Sequence, residues 1–225
     1  MDKNSLIEHA GEKAYSGKGH AYFAGARRDY VGELPFNRGA AILEIGCGEG
    51  GTGDLALSEG KCGRYCAIEF CPPAAETAAR KLTEVLVGDI EKLDLPWGPE
   101  TFDGLIMSEV LEHLTDPWAV LRKIRPLMRK GALVFASSPN VSHHSVIRML
   151  IRGNWSLSDY GLMDRTHLRW YTPVTYRALF ESCGYTVTSI SELSTFTRKA
   201  RAILAITGGR FKHLFMTQID LRAHS

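Results

Sequence analysis

The residues that could carry chemistry begin with a group of glycines after a short apolar stretch. Residues 41–51 read AILEIGCGEGG, with a carboxylate at Glu44 and glycines at Gly46, Gly48, Gly50 and Gly51. Glycine accepts positive φ angles, and without a Cβ its backbone can lie close against a ligand. A strand that ends in such a turn and leads into a helix is typical of nucleotide-binding loops. The stretch therefore predicts a strand, a ligand-binding turn and a helix that begins near Thr52.

Two cofactors fit this turn. The GxGxxG spacing from Gly46 to Gly51 matches the dinucleotide fingerprint, whereas the ExGxGxG spacing from Glu44 to Gly50 matches a loop that binds S-adenosylmethionine (SAM). Glu44 and Glu49 flank the turn where a dinucleotide would place its doubly negative pyrophosphate. SAM has no phosphate and brings an ammonium and a sulfonium group, which tolerate carboxylates nearby. The acidic side chains therefore favour SAM.

The elements that must position this turn follow from the rest of the chain. Alternating apolar segments and helix signals indicate five strand–helix units, which imply a parallel sheet. Asp116 and Pro117 are suited to the N-cap and first position of one helix. The predicted helices cover 22–34, 74–80, 116–127 and an inserted 140–155, and the later strands cover 64–69, 83–89, 104–107, 131–137, 185–190 and 212–221.

With its glycine turn and the stretch TFDGLIMSEVLEHLTDP at 101–117, the chain resembles the class I SAM-dependent methyltransferases. Within that class it resembles the small-molecule and sugar methyltransferases of bacterial polysaccharide and natural-product gene clusters, and the resemblance covers roughly residues 20–222. The resemblance implies an α/β fold with a doubly wound, mostly parallel, seven-stranded Rossmann-like sheet, a small α-helical cap and an antiparallel final strand. It also implies a single methyltransferase domain over 1–225, divided into a cofactor-binding half (20–140), a cap and substrate segment (141–172) and a C-terminal completion of the sheet (173–225).

The resemblance assigns further residues to the cofactor. Tyr22 would cover it and Arg27 would pair with its carboxylate, although Arg27 also fits an ordinary surface charge. Glu69 ends the second strand, where a carboxylate accepts hydrogen bonds from both ribose hydroxyls. Asp89 would bind the adenine amino group, although it also fits ordinary turn chemistry. The remaining members of this set would be Phe70 against the adenine, Ile90 through its backbone and Ser108 facing the methyl group.

Methyl transfer to a hydroxyl needs a base, or a metal ion that lowers the pKa of the hydroxyl. His167 is the first candidate for a base or substrate contact, with Asp164 orienting its ring and Arg169 and Tyr171 completing a substrate loop. A structural hydrogen bond that closes the lid is the alternative for His167. The pair formed by His143 and His144 opens the inserted helix and would serve the same cavity, His143 as a substrate contact and His144 in catalysis.

A third candidate is the pattern Glu109-x-x-Glu112-His113. On a helix, positions i, i+3 and i+4 share one face, so two carboxylates and an imidazole would be available to a divalent ion such as Mg²⁺. This pattern resembles metal-assisted methyltransferases that act on ubiquinone precursors or on RNA 3′ ends, but "EHL-x-DP" also occurs in metal-free relatives. Our leading assignment therefore places Glu109 in catalysis and assigns no metal ligand.

Composition restricts the partners. Residues 1–140 have 16 Lys/Arg and 20 Asp/Glu, whereas residues 141–225 have 11 and 5, so the first part is −4 and the second +6. A basic C-terminal third suggests an anionic small-molecule acceptor, or simply a solvated basic face. No nucleic-acid motif occurs, and no apolar run reaches the length of a membrane span. The five cysteines lack zinc spacing, and we expect a cytoplasmic protein with reduced thiols and a possible homodimer.

The leading hypothesis is a SAM-dependent enzyme that methylates an oxygen of a sugar or similar biosynthetic intermediate. Methylation of a carboxylate or an amine of a peptide or natural product would not need His167 as a base. Metal-assisted methylation would need Glu109, Glu112 and His113. A non-catalytic SAM-binding subunit and an NAD-dependent reductase are two further alternatives, of which the reductase lacks a Tyr-x-x-x-Lys proton relay.

Overall fold

The computed structural model describes residues 23–192 and 196–225. The chain divides into two compact units, residues 1–106 and 107–225. In the first unit, the elements are α1 (Arg28–Glu33), β1 (Ala41–Ile45), α2 (Gly51–Ser58), β2 (Arg64–Glu69), α3 (Pro72–Ala78) and β3 (Glu84–Val87). Strand β4 (Phe102–Ser108) follows at the boundary.

The second unit begins with a 3₁₀ turn at Leu111–His113. Its regular elements are α4 (Pro117–Ile124), β5 (Met128–Pro139), α5 (His144–Ile151), α6 (Pro173–Ser182), β6 (Thr186–Ser191), α7 (Arg198–Ile206) and β7 (Gln218–His224). Two more 3₁₀ turns occupy Arg125–Leu127 and Lys212–Leu214.

The seven strands form one sheet in the order β3-β2-β1-β4-β5-β7-β6. Strands β1, β2 and β3 pair in parallel, whereas β7 runs antiparallel to both β5 and β6. This arrangement confirms the predicted Rossmann-like sheet, including its antiparallel final strand inside the sheet.

The buried pattern of the first strands explains why they are parallel. All five residues of β1 are buried, as are the last five of the six residues of β2. Parallel strands with both faces covered read as continuous apolar runs rather than as an alternation of apolar and polar residues. The chain reverses after β1 at a turn in which Gly46, Gly48 and Gly50 have φ angles of 73°, 54° and 78°.

The predicted start of α4 is confirmed. The Asp116 side chain accepts a hydrogen bond of 3.0 Å from the backbone N–H of Ala119, and Pro117 occupies the first helical position. An N-cap carboxylate satisfies one of the backbone donors that a helix start leaves without a partner.

Several predicted boundaries were wrong. Within the helix predicted over 22–34, α1 is limited to Arg28–Glu33, because the backbone of residues 24–27 is not helical. The third strand ends at Val87 instead of residue 89, and the segment predicted as a strand from residue 212 first forms a 3₁₀ turn before β7. The inserted helix has Val146 as its buried residue, whereas Leu150, predicted on the same apolar side, is exposed.

Candidate active site

The glycine turn in the first unit is built for close backbone approach. A Cβ added at Gly48 would lie 2.5 Å from the carbonyl oxygen of Phe23, and one at Gly51 would lie 2.8 Å from that of Gly25. The backbone N–H of Glu49 donates to the same Phe23 oxygen at 3.0 Å. Side chains at these positions would therefore displace the segment that precedes α1, and the positive φ of Gly48 adds strain for any other residue.

Glu69 lies against this turn, as its position at the end of β2 predicted. Its carboxylate accepts hydrogen bonds from the backbone N–H of Gly48 at 2.7 Å and from that of Cys71 at 2.9 Å. Burial raises the pKa of Glu69, and these N–H donors oppose that rise. The backbone N–H of Phe70 also interacts with this carboxylate, and because a carboxylate has about four acceptor sites, capacity remains for a further donor such as a predicted ribose hydroxyl. Phe70, which follows directly, is partly exposed.

Glu44 does not lie at the surface of the glycine turn, although its position beside the glycines suggested this. It is buried in β1, and its carboxylate accepts a 2.8 Å hydrogen bond from the Tyr65 hydroxyl. Burial raises the pKa of Glu44 to about 7, while the bonds from Tyr65 and Thr52 oppose that rise. Its side chain therefore belongs to the interior of the unit, and its predicted contact with the cofactor stays a prediction.

Three other predicted cofactor residues show more ordinary contacts. The Arg27 guanidinium forms a paired contact with Asp29, with distances of 2.9 and 2.7 Å, and lies 3.5 Å from the centre of the Tyr30 ring. The Asp89 carboxylate accepts from the backbone N–H of Glu91 at 2.9 Å, which is a typical Asx turn. Ile90 is buried, and Tyr22 lies outside the described residues.

At the start of the second unit, the end of β4 places Ser108 and Glu109. The hydroxyls of Ser108 and Ser137 lie 3.1 Å apart. Glu109 has a φ of +55°, a conformation that is uncommon for a residue other than glycine and is enriched at functional sites. Its carboxylate accepts a 2.6 Å hydrogen bond from the side-chain amide of Gln218.

The predicted helical face through Glu109, Glu112 and His113 was wrong. Glu109 precedes the 3₁₀ turn and has a left-handed backbone, so the i, i+3 and i+4 geometry of an α-helix does not apply. The structure instead brings Glu112 and His113 together with His167. One potential ligand atom from each of these three residues lies within 4.8 Å of the others.

Backbone contacts explain why His167 reaches this cluster. The carbonyl oxygen of Glu112 accepts hydrogen bonds from the N–H groups of Leu168 at 2.8 Å and Arg169 at 3.0 Å. The loop that carries His167 is thereby fixed against the 3₁₀ turn. The rings of His113 and His167 meet edge to face, with centroids 4.9 Å apart.

The neighbour of His113 indicates which nitrogen of its ring carries a proton. Its Nδ1 lies 3.2 Å from the carbonyl oxygen of Thr166. A carbonyl can only accept, so this hydrogen bond requires a proton on Nδ1, and in the neutral form of the ring the lone pair is then on Nε2. A ring held in this way is the usual arrangement for a histidine that ligates a metal ion.

Glu112 gives the cluster its electrostatic character. The residue is buried, and neither carboxylate oxygen makes a hydrogen bond of normal length and angle in the described part of the chain, while the nearby Ser138 hydroxyl interacts with the carboxylate and opposes the rise in its pKa. Burial, with a contribution from the nearby Glu109 carboxylate, raises the pKa of Glu112 well above its ordinary value. A buried carboxylate without well-formed hydrogen bonds is costly as an anion, so this site favours either a proton or a cation.

Asp164, Tyr171 and Arg169 are three further residues that were predicted to contact the substrate. Asp164 is buried and accepts from the backbone and side chain of Thr166 at 2.9 and 2.8 Å. Tyr171 is buried, and its pKa is raised by burial and by Glu112. Arg169 is exposed and donates to the carbonyl oxygen of Thr115.

The histidine pair at the start of α5 forms a separate feature. The rings of His143 and His144 are 4.1 Å apart. Nδ1 of His143 accepts from the backbone N–H of Ser145, which caps the helix, and burial with the neighbouring His144 lowers the pKa of His143. The ring of His144 contacts Phe215 at 5.8 Å. These contacts give both residues structural partners, and their predicted role in substrate binding or catalysis stays a prediction.

The grouping of His167 with Glu112 and His113 was missed at the sequence level, as was the contact between Gln218 and Glu109. Each connects residues more than 50 positions apart, and no local spacing encodes it. The sequence offers one weak signal for this cluster. The stretches DRTHLRWYT and SEVLEH each contain several polar residues close together.

Comparison with known proteins shows which proteins are similar to this chain in sequence. A sequence profile described as a methyltransferase domain matches residues 19–190. The chain is 30% identical over 130 residues to a ubiquinone biosynthesis O-methyltransferase of Cereibacter sphaeroides, covering 57% of this chain and 52% of that protein. It is 27% identical over 161 residues to the protein of the same name in Aeromonas salmonicida, covering 68% and 66%. The chain thus spans about half to two thirds of the length of these curated relatives.

Solved structures share the fold. A SAM-dependent methyltransferase from Archaeoglobus fulgidus superimposes with a TM-score of 0.62 at 21% identity, over 100% of both chains. One from Mesorhizobium loti gives a TM-score of 0.63 at 15% identity, covering 92% of this chain and 100% of that one. Among the described residues, no helix has the length and apolar character needed to cross a membrane.

Proposed function

The chain belongs to the family of methyltransferase domains, and from this membership we propose that it methylates a hydroxyl oxygen of a small biosynthetic intermediate with the help of a divalent cation. The prediction of a class I SAM-dependent methyltransferase is confirmed by the family match and by the Rossmann-like sheet. The nature of the acceptor and the roles of individual residues are the proposed part.

The observation that supports the cation is the cluster of Glu112, His113 and His167. Three potential ligand atoms lie within 4.8 Å of one another, and the carboxylate among them is buried without a hydrogen bond of normal geometry in the described part of the chain. The Nδ1–H of His113 is held by a backbone carbonyl, which presents Nε2 as a ligand. These features support a divalent cation as the proposed occupant of the cluster.

The donor set also suggests which cation. Mg²⁺ prefers oxygen ligands in octahedral geometry, whereas imidazole suits Zn²⁺ and similar transition ions. Two imidazoles therefore favour a transition ion such as Zn²⁺ over the Mg²⁺ that the sequence suggested, and Mn²⁺, which prefers carboxylate ligands as Mg²⁺ does, is the second candidate. Bound there, the cation would lower the pKa of an acceptor hydroxyl.

The residues of the cluster would have different roles in binding the cation. Glu112 would supply the negative charge that holds the cation, and His113 and His167 would supply nitrogen ligands. This assignment replaces the role of His167 as a general base, because one imidazole lone pair serves either the metal or the proton. Glu109, held by Gln218 in a strained conformation, would lie beside the cluster as a second acidic group.

On the cofactor side, we propose that the glycine turn at Gly46–Gly51 and Glu69 hold SAM. Glu69 already accepts from the Gly48 backbone, which fixes the carboxylate against the turn. Its two oxygens would accept the ribose hydroxyls. The bonds that Arg27 and Asp89 make within the chain leave these two residues as weaker candidates.

The acceptor is proposed as an oxygen nucleophile because the curated relatives are named O-methyltransferases of ubiquinone biosynthesis. The +6 charge of residues 141–225 supports an anionic group on the acceptor. A sugar hydroxyl also belongs to the class of oxygen nucleophiles. The names of the relatives, however, do not mention sugars.

Calorimetric titration tests the two halves of the proposal separately. We expect wild-type protein to bind SAM and, in a second titration, Zn²⁺ or Mn²⁺. Glu69→Ala should weaken SAM binding by about 1.5–3 kcal/mol, the value of hydrogen bonds to a charged group, and leave metal binding unchanged. Glu112→Gln should show the reverse pattern.

A matched control for the carboxylate change is Glu181→Gln, because Glu181 is an exposed carboxylate paired with Arg177 on the surface of α6. It should leave both titrations unchanged. Binding of NAD⁺ in place of SAM, or metal binding that survives Glu112→Gln, would contradict the proposal.

A further inference from the structure

Two helices of the second unit present apolar side chains to solvent. Helix α7 buries Ala200 among its nine residues, while Ile203 and Ile206 are 43% and 85% exposed. These two isoleucines are three positions apart and therefore lie on one side of the helix. Helix α5 buries Val146 among its eight residues and ends at Ile151, which is 81% exposed.

Exposed aromatic rings extend this surface beyond α5. Trp155 and Trp170 meet edge to face with centroids 5.5 Å apart, yet both remain exposed. Tyr160, between them in sequence, is also exposed. Tryptophan and tyrosine combine an apolar ring with a polar atom, and this suits them to a boundary between water and an apolar phase.

Contacts join the start of α5 to the segment between α7 and β7. The side-chain amide of Asn140, just before α5, donates to the carbonyl oxygens of His213 and Met216 at 2.7 Å each. The ring contact of His144 with Phe215 adds to this connection. The segment that leaves α7 therefore packs against the start of α5. We call α5, α7, Trp155 and Trp170 together the basic apolar face.

Cations accompany the apolar groups. Residues 196–219 have five Lys or Arg and no Asp or Glu. Arg198, Lys199 and Arg201 on α7 are exposed, as are Arg148 and Arg152 on and after α5. Exposed aliphatic and aromatic side chains next to cations are the composition of helices that lie in a membrane interface. Helix α7 also lies outside the 19–190 range that the methyltransferase profile matches.

We propose that the basic apolar face docks this protein on the surface of a membrane that contains anionic lipids. The aliphatic residues would enter the boundary of the acyl chains, and the cations would meet the headgroups. A second copy is a poorer occupant, because a twofold contact would bring the same cations together. A nucleic acid would use the cations but would leave Ile151 and Ile206 without apolar partners. This docking is independent of the identity of the acceptor.

Sedimentation with lipid vesicles tests the proposal on the full-length chain. We expect binding to vesicles of phosphatidylcholine with phosphatidylglycerol, little binding to phosphatidylcholine alone, and a decrease with added salt. Ile203→Ser with Ile206→Ser should lower the vesicle affinity at least about tenfold, from the value of burying two large aliphatic side chains. Lys199→Gln with Arg201→Gln should lower it roughly 25-fold, since each cation near such a surface contributes about fivefold.

Matched controls use exposed residues outside this face. Phe36→Ser changes an exposed apolar residue of the first unit, and Arg129→Gln with Lys130→Gln removes two exposed cations at the start of β5. Both controls should bind vesicles like the wild type, and SAM titration should show that every variant is folded. Equal vesicle binding by the α7 variants and the wild type would overturn the proposal. So would a dimer in analytical ultracentrifugation that Ile206→Ser dissociates, without vesicle binding.

Discussion

Replacing Glu44 by glutamine should remove a pH dependence of stability. The carboxylate is buried in β1 and accepts one hydrogen bond from Tyr65. Burial raises its pKa from 4.5 to about 7. Between these two values, the folded protein keeps a proton that the unfolded chain releases. The free energy of unfolding therefore falls as the pH rises through this window, and the loss is complete above about pH 7.

The size of this effect follows from the two pKa values. The interval from 4.5 to about 7, at about 1.4 kcal/mol for each pH unit, corresponds to roughly 3 kcal/mol. Glutamine keeps the shape of the protonated side chain and an oxygen that can accept from Tyr65. The variant should therefore resemble the wild type at low pH and exceed its stability by up to about 3 kcal/mol at high pH.

Urea denaturation followed by circular dichroism would measure the difference. Both proteins should be compared from roughly pH 5 to pH 8, and Glu181→Gln serves as the control because that carboxylate is exposed. The control should parallel the wild type at every pH. A difference between Glu44→Gln and the wild type that stays constant within about 0.5 kcal/mol across this range, against the slope that linkage requires, would refute the reasoning.

Three other changes test individual contacts. Asp116→Ala removes the cap on the Ala119 N–H and should lower the free energy of unfolding by about 1 kcal/mol, measured with urea. Gly48→Ala places a Cβ 2.5 Å from the Phe23 carbonyl oxygen and should lower both stability, by roughly 1–3 kcal/mol, and SAM affinity in calorimetry. Zinc or manganese at about 100 times its Kd should raise the Tm of the wild type by roughly 5–10 °C and leave that of Glu112→Gln unchanged.

Each of these tests has its own control. Asp94→Ala removes an exposed carboxylate that lies outside the regular elements, and it should leave stability unchanged. Gly98→Ala adds a Cβ that meets nothing within 4 Å, and it should preserve SAM binding. A metal-induced rise in Tm that is equal in Glu112→Gln and the wild type would place the cation elsewhere.

The sequence predicted the sheet and the glycine turn well because their signals are local. A short, mostly apolar stretch such as Ala41–Ile45, followed directly by glycines, is typical of a buried strand. The positive φ angles at Gly46, Gly48 and Gly50 follow from the one residue type that accepts them readily. The cap at Asp116 likewise needs only three neighbouring residues.

The candidate cation cluster could not be predicted from local sequence signals. The ExxEH spacing suggested an α-helical face, but the chain makes a 3₁₀ turn, and Glu109 takes a left-handed conformation before it. The third ligand candidate, His167, comes from a loop that the Glu112 carbonyl holds through backbone hydrogen bonds. Such contacts depend on tertiary packing, which no periodicity within one segment records.

Burial also changed the interpretation of acidic residues. Glu69 ends β2, whereas Glu44 lies one position before the end of β1 and pairs with Ala67, and both were predicted to lie at the cofactor. In the structure, Tyr65 bonds Glu44 within the interior, whereas backbone N–H groups of the turn bond Glu69. The difference depends on the direction of each side chain, which alternates along a strand and is fixed only by the register of the sheet.

The most direct measurement of the central claim is methyl transfer from radiolabelled SAM to a panel of phenolic, sugar and carboxylate acceptors. The assay would be run before and after removal of divalent ions with a chelator. We expect label on a hydroxyl oxygen, loss of transfer on chelation, and recovery with added Zn²⁺ or Mn²⁺ in the wild type but not in Glu112→Gln. Transfer to a hydroxyl that is unaffected by chelation and by Glu112→Gln would contradict the account.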